Sequence, residues 1–156
     1  MTLHEINFMG LFEALFKNKN TELVTYSPTT IQEAYMAIFY SILYADKKWS
    51  EEESKTLRPI LMRLRVFEDE NVVYYIEKVE TEYTIFGAQA LINGGLELIT
   101  QKYRPQLFCL CAELVLADGK VHEEEEKILD YLAKASNISE DLAKKIIEVT
   151  MIRMLN

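Results

Sequence analysis

The sequence predicts an all-α protein, a single-domain helical bundle of about eight helices with an internal pseudo-two-fold repeat. Three observations predict it. Apolar residues recur at helical spacing along nearly the whole chain, and no convincing period-2 alternation interrupts them. Glycine and proline are scarce, at five and three in 156 residues, a profile that favours helices over turn-rich strands. Finally, SILYADKKWSEEESKTL at 41–57 lines up without gaps with ELVLADGKVHEEEEKIL at 113–129, an offset of 72.

Taken in order, Leu3, Ile6, Met9, Leu11, Phe12, Leu15 and Phe16 form one stripe, with Glu5, Glu13 and Lys17 off it, which predicts an amphipathic first helix. Residues 18–30 are polar, contain Ser27-Pro28, and form the longest connection. Residues 31–44 are almost wholly apolar apart from Gln32 and Glu33, as in a helix buried on most sides, and this run ends at Asp46. From 50 to about 66, Leu57, Ile60, Leu61 and Leu64 share a face, and Pro59 predicts a kink or break.

A helix over 69–80 follows, with Val72, Val73, Ile76 and Val79 inward and Tyr74 and Tyr75 at the edge of the core with wet hydroxyls. Another covers 82–99, where Gly94 and Gly95 mark a bend or a close helix crossing. Residues 106–116 read as a second buried helix, stopping at Asp118, and 123–135 as an amphipathic one. Ser139 then caps a last helix reaching about Met154.

Seventeen basic and twenty-five acidic side chains give a formal charge of −8. No basic stripe is available to release counterions, so nucleic acid and anionic lipid are disfavoured as partners. Cations and a protein partner with a basic surface are favoured instead. Cys109 and Cys111 lie two apart in a helical segment, where they point to different faces and do not pair. The first twenty residues lack a signal peptide's basic start and unbroken apolar run, and no stretch is long enough for a membrane span. These features lead to the expectation of a soluble, cytoplasmic protein.

The two matched segments can be read physically. In the second, Gly119 is suited to the left-handed residue that closes a helix. Lys47 occupies that place in the first, where the same dihedrals would cost on the order of 1 kcal/mol, so a looser or differently shaped turn is expected. Trp49 and Val121 are expected to drop onto the core like a hydrophobic staple. Ser50 and Glu53 form a capping box, and Glu125 holds the corresponding place after His122. The glutamates at 51–53 and 123–126 sit where the helix dipole stabilises anions.

Asp46 and Asp118 are harder to account for, because a helix C-terminus disfavours negative charge. Two accounts stay open. Each Asp caps amides of the following helix. Alternatively Asp118 and Glu125, with His122 or a backbone carbonyl, present oxygens to a divalent cation. The spacing excludes an EF-hand loop, since Gly directly follows the Asp and Lys120 and Val121 occupy intervening positions. A cation site here would be open, partly hydrated and weak.

With Asp118-Gly119-Lys120-Val121 through Glu125, preceded by an apolar helix ending in Ala and matched by a second copy, the chain resembles the tellurite-resistance TerB family. The resemblance covers roughly 28–155, with halves of about 28–80 and 102–155, and leaves 1–27 as an N-terminal helix and linker. It implies an all-α domain with internal pseudo-symmetry, associated with bacterial tellurite resistance and stress responses. It also implies metal binding by acidic residues at the two turns, here Asp46 and Glu53, Asp118 and Glu125, with Ca2+ the first candidate. Lys47 and His122 depart from the family pattern.

Catalysis is not expected. A di-iron bundle needs Glu-x-x-His on core helices, and neither His4 nor His122 ends such a motif. Cys109 lies in an apolar helix, where a small buried side chain is the ordinary outcome. Two functions follow as expectations: a non-enzymatic stress-response protein with weak divalent-cation binding at two acidic turns, or a purely structural helical adaptor with no metal site.

Overall fold

In the computed structural model, which describes residues 25–45, 47, 51–117, 119 and 121–155 and only the backbone of Glu52 and Glu53, helix α1 (Ile31–Leu43) forms the centre. Thr30 starts it: its backbone is extended and its side chain accepts a hydrogen bond from the Glu33 amide at 3.1 Å. Every residue from Glu33 to Leu43 is buried, as the nearly unbroken apolar run predicts. A helix apolar on all sides must be wrapped by others. The wrapping elements are α2 (Glu51–Arg63), α3 (Val72–Phe86), α4 (Ala88–Leu98), α5 (Arg104–Val115), α6 (Glu123–Ala135) and α7 (Glu140–Arg153). Helices α3, α4, α5 and α6 pack directly on α1.

The described residues thus form seven α-helices and two 3-10 turns, with no strand among them. The expected N-terminal helix lies outside the described residues. Helix α2 continues through Pro59, so no break occurs there. It ends at Arg63, and the 3-10 turn Arg65–Phe67 drops Phe67 into the core. This turn delays the next helix, which begins at Val72 after the cap Asn71 rather than near 69. Val73 is consequently 60% exposed and does not face inward. Tyr75 is buried and donates to Glu70 at 3.0 Å, whereas Tyr74 stays outside.

The sequence reading also misplaces the boundary after α3. The helix runs on to Phe86 and stops at Gly87, whose φ of 84° and ψ of 170° are open essentially to glycine alone. The close crossing expected at Gly94 and Gly95 is present. A Cβ at Gly95 would lie 2.8 Å from the Ala34 carbonyl oxygen and 2.9 Å from Ile38 Cγ1, and one at Gly94 would collide with the Tyr26 carbonyl. These two glycines let α4 lie directly against α1 and the chain leading into it. Arg104 then closes the end of α4, donating to Leu96 O at 2.7 Å and Ile99 O at 2.9 Å. Ser139 caps α7, accepting from the Leu142 amide at 3.1 Å.

Among the described residues two carboxylates are buried, Glu33 and Glu125. Glu33 is 2% exposed. It accepts hydrogen bonds from the Tyr26 hydroxyl at 2.6 Å and Thr29 at 3.3 Å, and it pairs with Lys78 of α3 at 2.5 Å. Those partners offset the desolvation of the carboxylate. Hydrogen bonding to Glu33 holds the Lys78 ammonium above its usual pKa. Burial, followed by the Glu33 contact, pushes the Tyr26 phenol up. At the surface, Glu113 of α5 accepts from Arg63 at 2.9 Å and Arg153 at 3.3 Å, linking the last turns of α2 and α7. Among the described residues, no helix is long and apolar enough to cross a membrane.

Candidate functional site

Two helix ends present the same backbone arrangement. At the end of α1, Tyr44 N donates to Tyr40 O at 2.9 Å, Ala45 N to Ile42 O at 3.4 Å and Lys47 N to Tyr44 O at 3.0 Å. At the end of α5, Leu116 N donates to Ala112 O at 3.0 Å, Ala117 N to Leu114 O at 3.4 Å and Gly119 N to Leu116 O at 3.1 Å. The left-handed residues are Lys47, with φ of 61°, and Gly119, with φ of 75°. The first turn is therefore not looser, contrary to the expectation from its lysine. The same tightening bonds are made, and Lys47 takes the left-handed dihedral with its side chain exposed.

A prediction follows directly. Lys47→Gly should raise stability by about 0.5 kcal/mol, the relief of a left-handed Cβ offset in part by the greater freedom of glycine in the unfolded chain. Denaturant unfolding checks this. A midpoint equal to or below that of the wild type would contradict a strained Lys47.

Beyond the turns, α2 and α6 occupy 51–63 and 123–135, positions related by the same offset as the turns themselves. After these helices the correspondence shifts, because α3 starts at Val72 and α7 at Glu140, with the Arg65–Phe67 turn taking up the difference.

Of the candidate ligands, Asp46 and Asp118 lie outside the described residues, as does the Glu53 side chain. Glu125 and His122 are described. His122 is the extended N-cap of α6, with φ of −77° and ψ of 148°. Its backbone amide donates to Glu125 Oε1 at 3.3 Å, one arm of the predicted capping box. His122 Nε2 stands 3.9 Å from that same oxygen. Among the four consecutive glutamates, Glu125 alone is buried, at 2% exposure. Glu123 and Glu124 face solvent beside Lys127, at 3.3 and 3.8 Å, pairs of the kind that contribute little. Among the described residues, no group of three or more His, Cys, Asp or Glu side chains converges to hold a metal.

Val121 does not drop onto the core as expected; it is 45% exposed. Its side chain instead joins Leu116 in lining a groove of about 770 Å³ between α5, α6 and α7. Val115, Leu129, Ala143 and Ile147 also line this groove, and Glu126, Asp130, Lys134, Lys144 and Glu148 contribute charged side chains. Sequence reading missed the groove. Its signal was the apolar spacing of α7, which continues through Met151 and Ile152 beyond what the core can cover.

The cysteines offer no activated thiolate. Burial, then the Glu113 carboxylate, pushes the Cys109 thiol up, and burial does the same for Cys111.

No curated protein and no solved structure matches the chain. A family model described as tellurite resistance protein TerB matches residues 32–146. That span begins inside α1 and ends inside α7, and so takes in both acidic turns and the helices on either side of them. With most of its length matched and an all-helical fold, the chain belongs to the TerB family associated with tellurite resistance.

Proposed function

We propose that this TerB-family protein is a non-enzymatic, stress-responsive binding protein whose two acidic interhelical turns take up a divalent cation weakly, with Ca2+ the leading candidate. The observation that carries this reading is Glu125, a carboxylate 2% exposed at the first turn of α6, just beyond a left-handed helix end. Burying that charge needs more than the helix dipole, which contributes roughly 0.3–1 kcal/mol near a surface. The amide of His122 provides one contact. In this reading a cation held jointly with Asp118 adds to the contacts Glu125 already makes with His122, and Asp46 with Glu53 form the counterpart at the first turn. The shared left-handed dihedrals of Lys47 and Gly119 support treating the two turns as copies of one duplicated unit, in a single domain, 1–156, whose residues 1–27 precede the TerB-like region. Hard oxygen donors with few neutral nitrogens favour Ca2+ over Zn2+.

Trp49 is the chain's lone tryptophan and lies within the first turn, so it can report directly. Titration with Ca2+, Mg2+, Mn2+ and Zn2+, following Trp49 emission and melting temperature, should show a millimolar or tighter response that Glu125→Gln and Asp118→Asn weaken. A melting temperature indifferent to every cation, or variants that respond as the wild type does, would leave a structural adaptor with capped turns.

A further inference from the structure

The groove between α5, α6 and α7 has no cover among the described residues. Its floor is aliphatic, and exposed apolar side chains border it, with Val121 at 45% and Met151 at 55%. Surfaces of this kind are ordinarily covered by something. The chain itself carries a candidate cover. Residues 3–16 hold the apolar stripe Leu3, Ile6, Met9, Phe12, Leu15 and Phe16, and a helix of that length is marginal in water unless its apolar face is packed. We propose that this N-terminal segment docks its apolar stripe into the α5–α6–α7 groove of the same chain, beside the second acidic turn.

Reach permits it. The described chain starts at Thr25, next to Tyr26, which meets α4 at Gly94. Neighbouring Asn93 of α4 accepts a hydrogen bond from Tyr131 of α6 at 2.8 Å, so the starting point lies one helix away from the groove wall. Residues 17–24, fully extended, reach up to roughly 26 Å. The rim of the groove carries Glu126, Asp130, Glu140 and Glu148 with Lys134 and Lys144, and the segment carries Glu5 and Glu13 off the stripe with Lys17 and Lys19 after it, so the fit rests on the apolar faces and not on charge. The groove volume of about 770 Å³ lies within the ordinary range of ligand pockets and leaves room for several large side chains.

Hydrogen exchange on the full chain tests the docking from both sides. In the wild type, amides of 3–16 should exchange at least about ten-fold more slowly than in the free peptide, at a rate independent of protein concentration. Phe12→Asp with Leu15→Asp should remove that protection and speed exchange along α7. Val121→Asp and Met151→Asp alter groove residues that are already exposed, so the fold is retained. They should release 3–16 as well.

Exchange of 3–16 at the free-peptide rate in the wild type would overturn the proposal, as would protection that survives the groove variants. Protection that rises with concentration alongside a dimer in light scattering would assign the groove to a second copy and overturn it too.

Discussion

Gly95→Ala is expected to destabilise the protein by about 2 kcal/mol, although the same change in an exposed helix stabilises by roughly 1 kcal/mol. The sign reverses because of what the new methyl meets. It would lie 2.8 Å from the Ala34 carbonyl oxygen and 2.9 Å from Ile38 Cγ1. Ala34 O belongs to the backbone of the central helix and cannot rotate aside, so α1 and α4 must separate. Separation loosens the largest helix contact in the fold, and overpacking of this kind costs about 1–3 kcal/mol. A thermal midpoint lower by roughly 5–10 °C should result. Gly94→Ala should cost at least as much, because its methyl would overlap the backbone carbonyl of Tyr26 more closely still, a residue 3% exposed and hydrogen-bonded to Glu33. If Gly95→Ala melts at or above the wild-type temperature, the close approach of the two helices is wrong.

Lys78→Met should lose about 2–3 kcal/mol, because it leaves the Glu33 carboxylate in the core with Tyr26 and Thr29 but without its counter-charge. The lysine side chain is 29% exposed, so solvent screens part of the pair and brings the loss below the roughly 3–5 kcal/mol of a fully buried one. Glu33→Gln should cost less, because Lys78 can turn to water and the amide oxygen still accepts from Tyr26. A double-mutant cycle between the two positions then measures the coupling.

The pH dependence has a definite sign. The folded-state pKa of Lys78 is raised above 10.5, chiefly by its hydrogen bond to Glu33. Its contribution is therefore fully present below that value and is lost as pH rises through the raised folded pKa. The gap between wild type and Lys78→Met should stay constant across neutral pH and narrow as pH rises into the alkaline range. A gap already narrowing between about pH 7 and 9 would assign the effect to another group.

What could be read from the sequence, and what could not, follows from the range of the interactions involved. Period and caps are local, so Ser139, the apolar run of α1 and the Asp-Gly at the end of α5 announced their elements. Gly94 and Gly95 announced the helix crossing because two adjacent glycines in an apolar helix need a packing reason. Gly87 escaped notice because the residues on both sides of it continue a helical pattern, and a single glycine inside such a pattern is tolerated. The Glu33–Lys78 pair escaped because its members are distant in sequence, and nothing near Glu33 names its partner.

At the candidate site, the inward placement of Glu125 followed from its third position in a capping box, while its three glutamate neighbours turned outward as dipole chemistry allows. Lys47 was misjudged for the opposite reason. A residue preference was set against a backbone that the rest of the turn fixes, and the backbone prevailed.

The stop at Gly87 also bears on the size of the molecule. Without it, α3 and α4 would merge into one rod from Val72 to Leu98, about 40 Å long at the usual rise per residue. Such a rod would span the whole diameter, roughly 39 Å, of a compact sphere of 156 residues. A Cβ at Gly87 meets nothing within 4 Å, so backbone preference, not lack of space, is what reserves this position for glycine. If the rod formed, the face of α4 that belongs on α1 would be carried away from it, and the α1 of a neighbouring molecule could take its place. One dihedral angle thus separates a chain that closes on itself from one able to exchange halves with another copy.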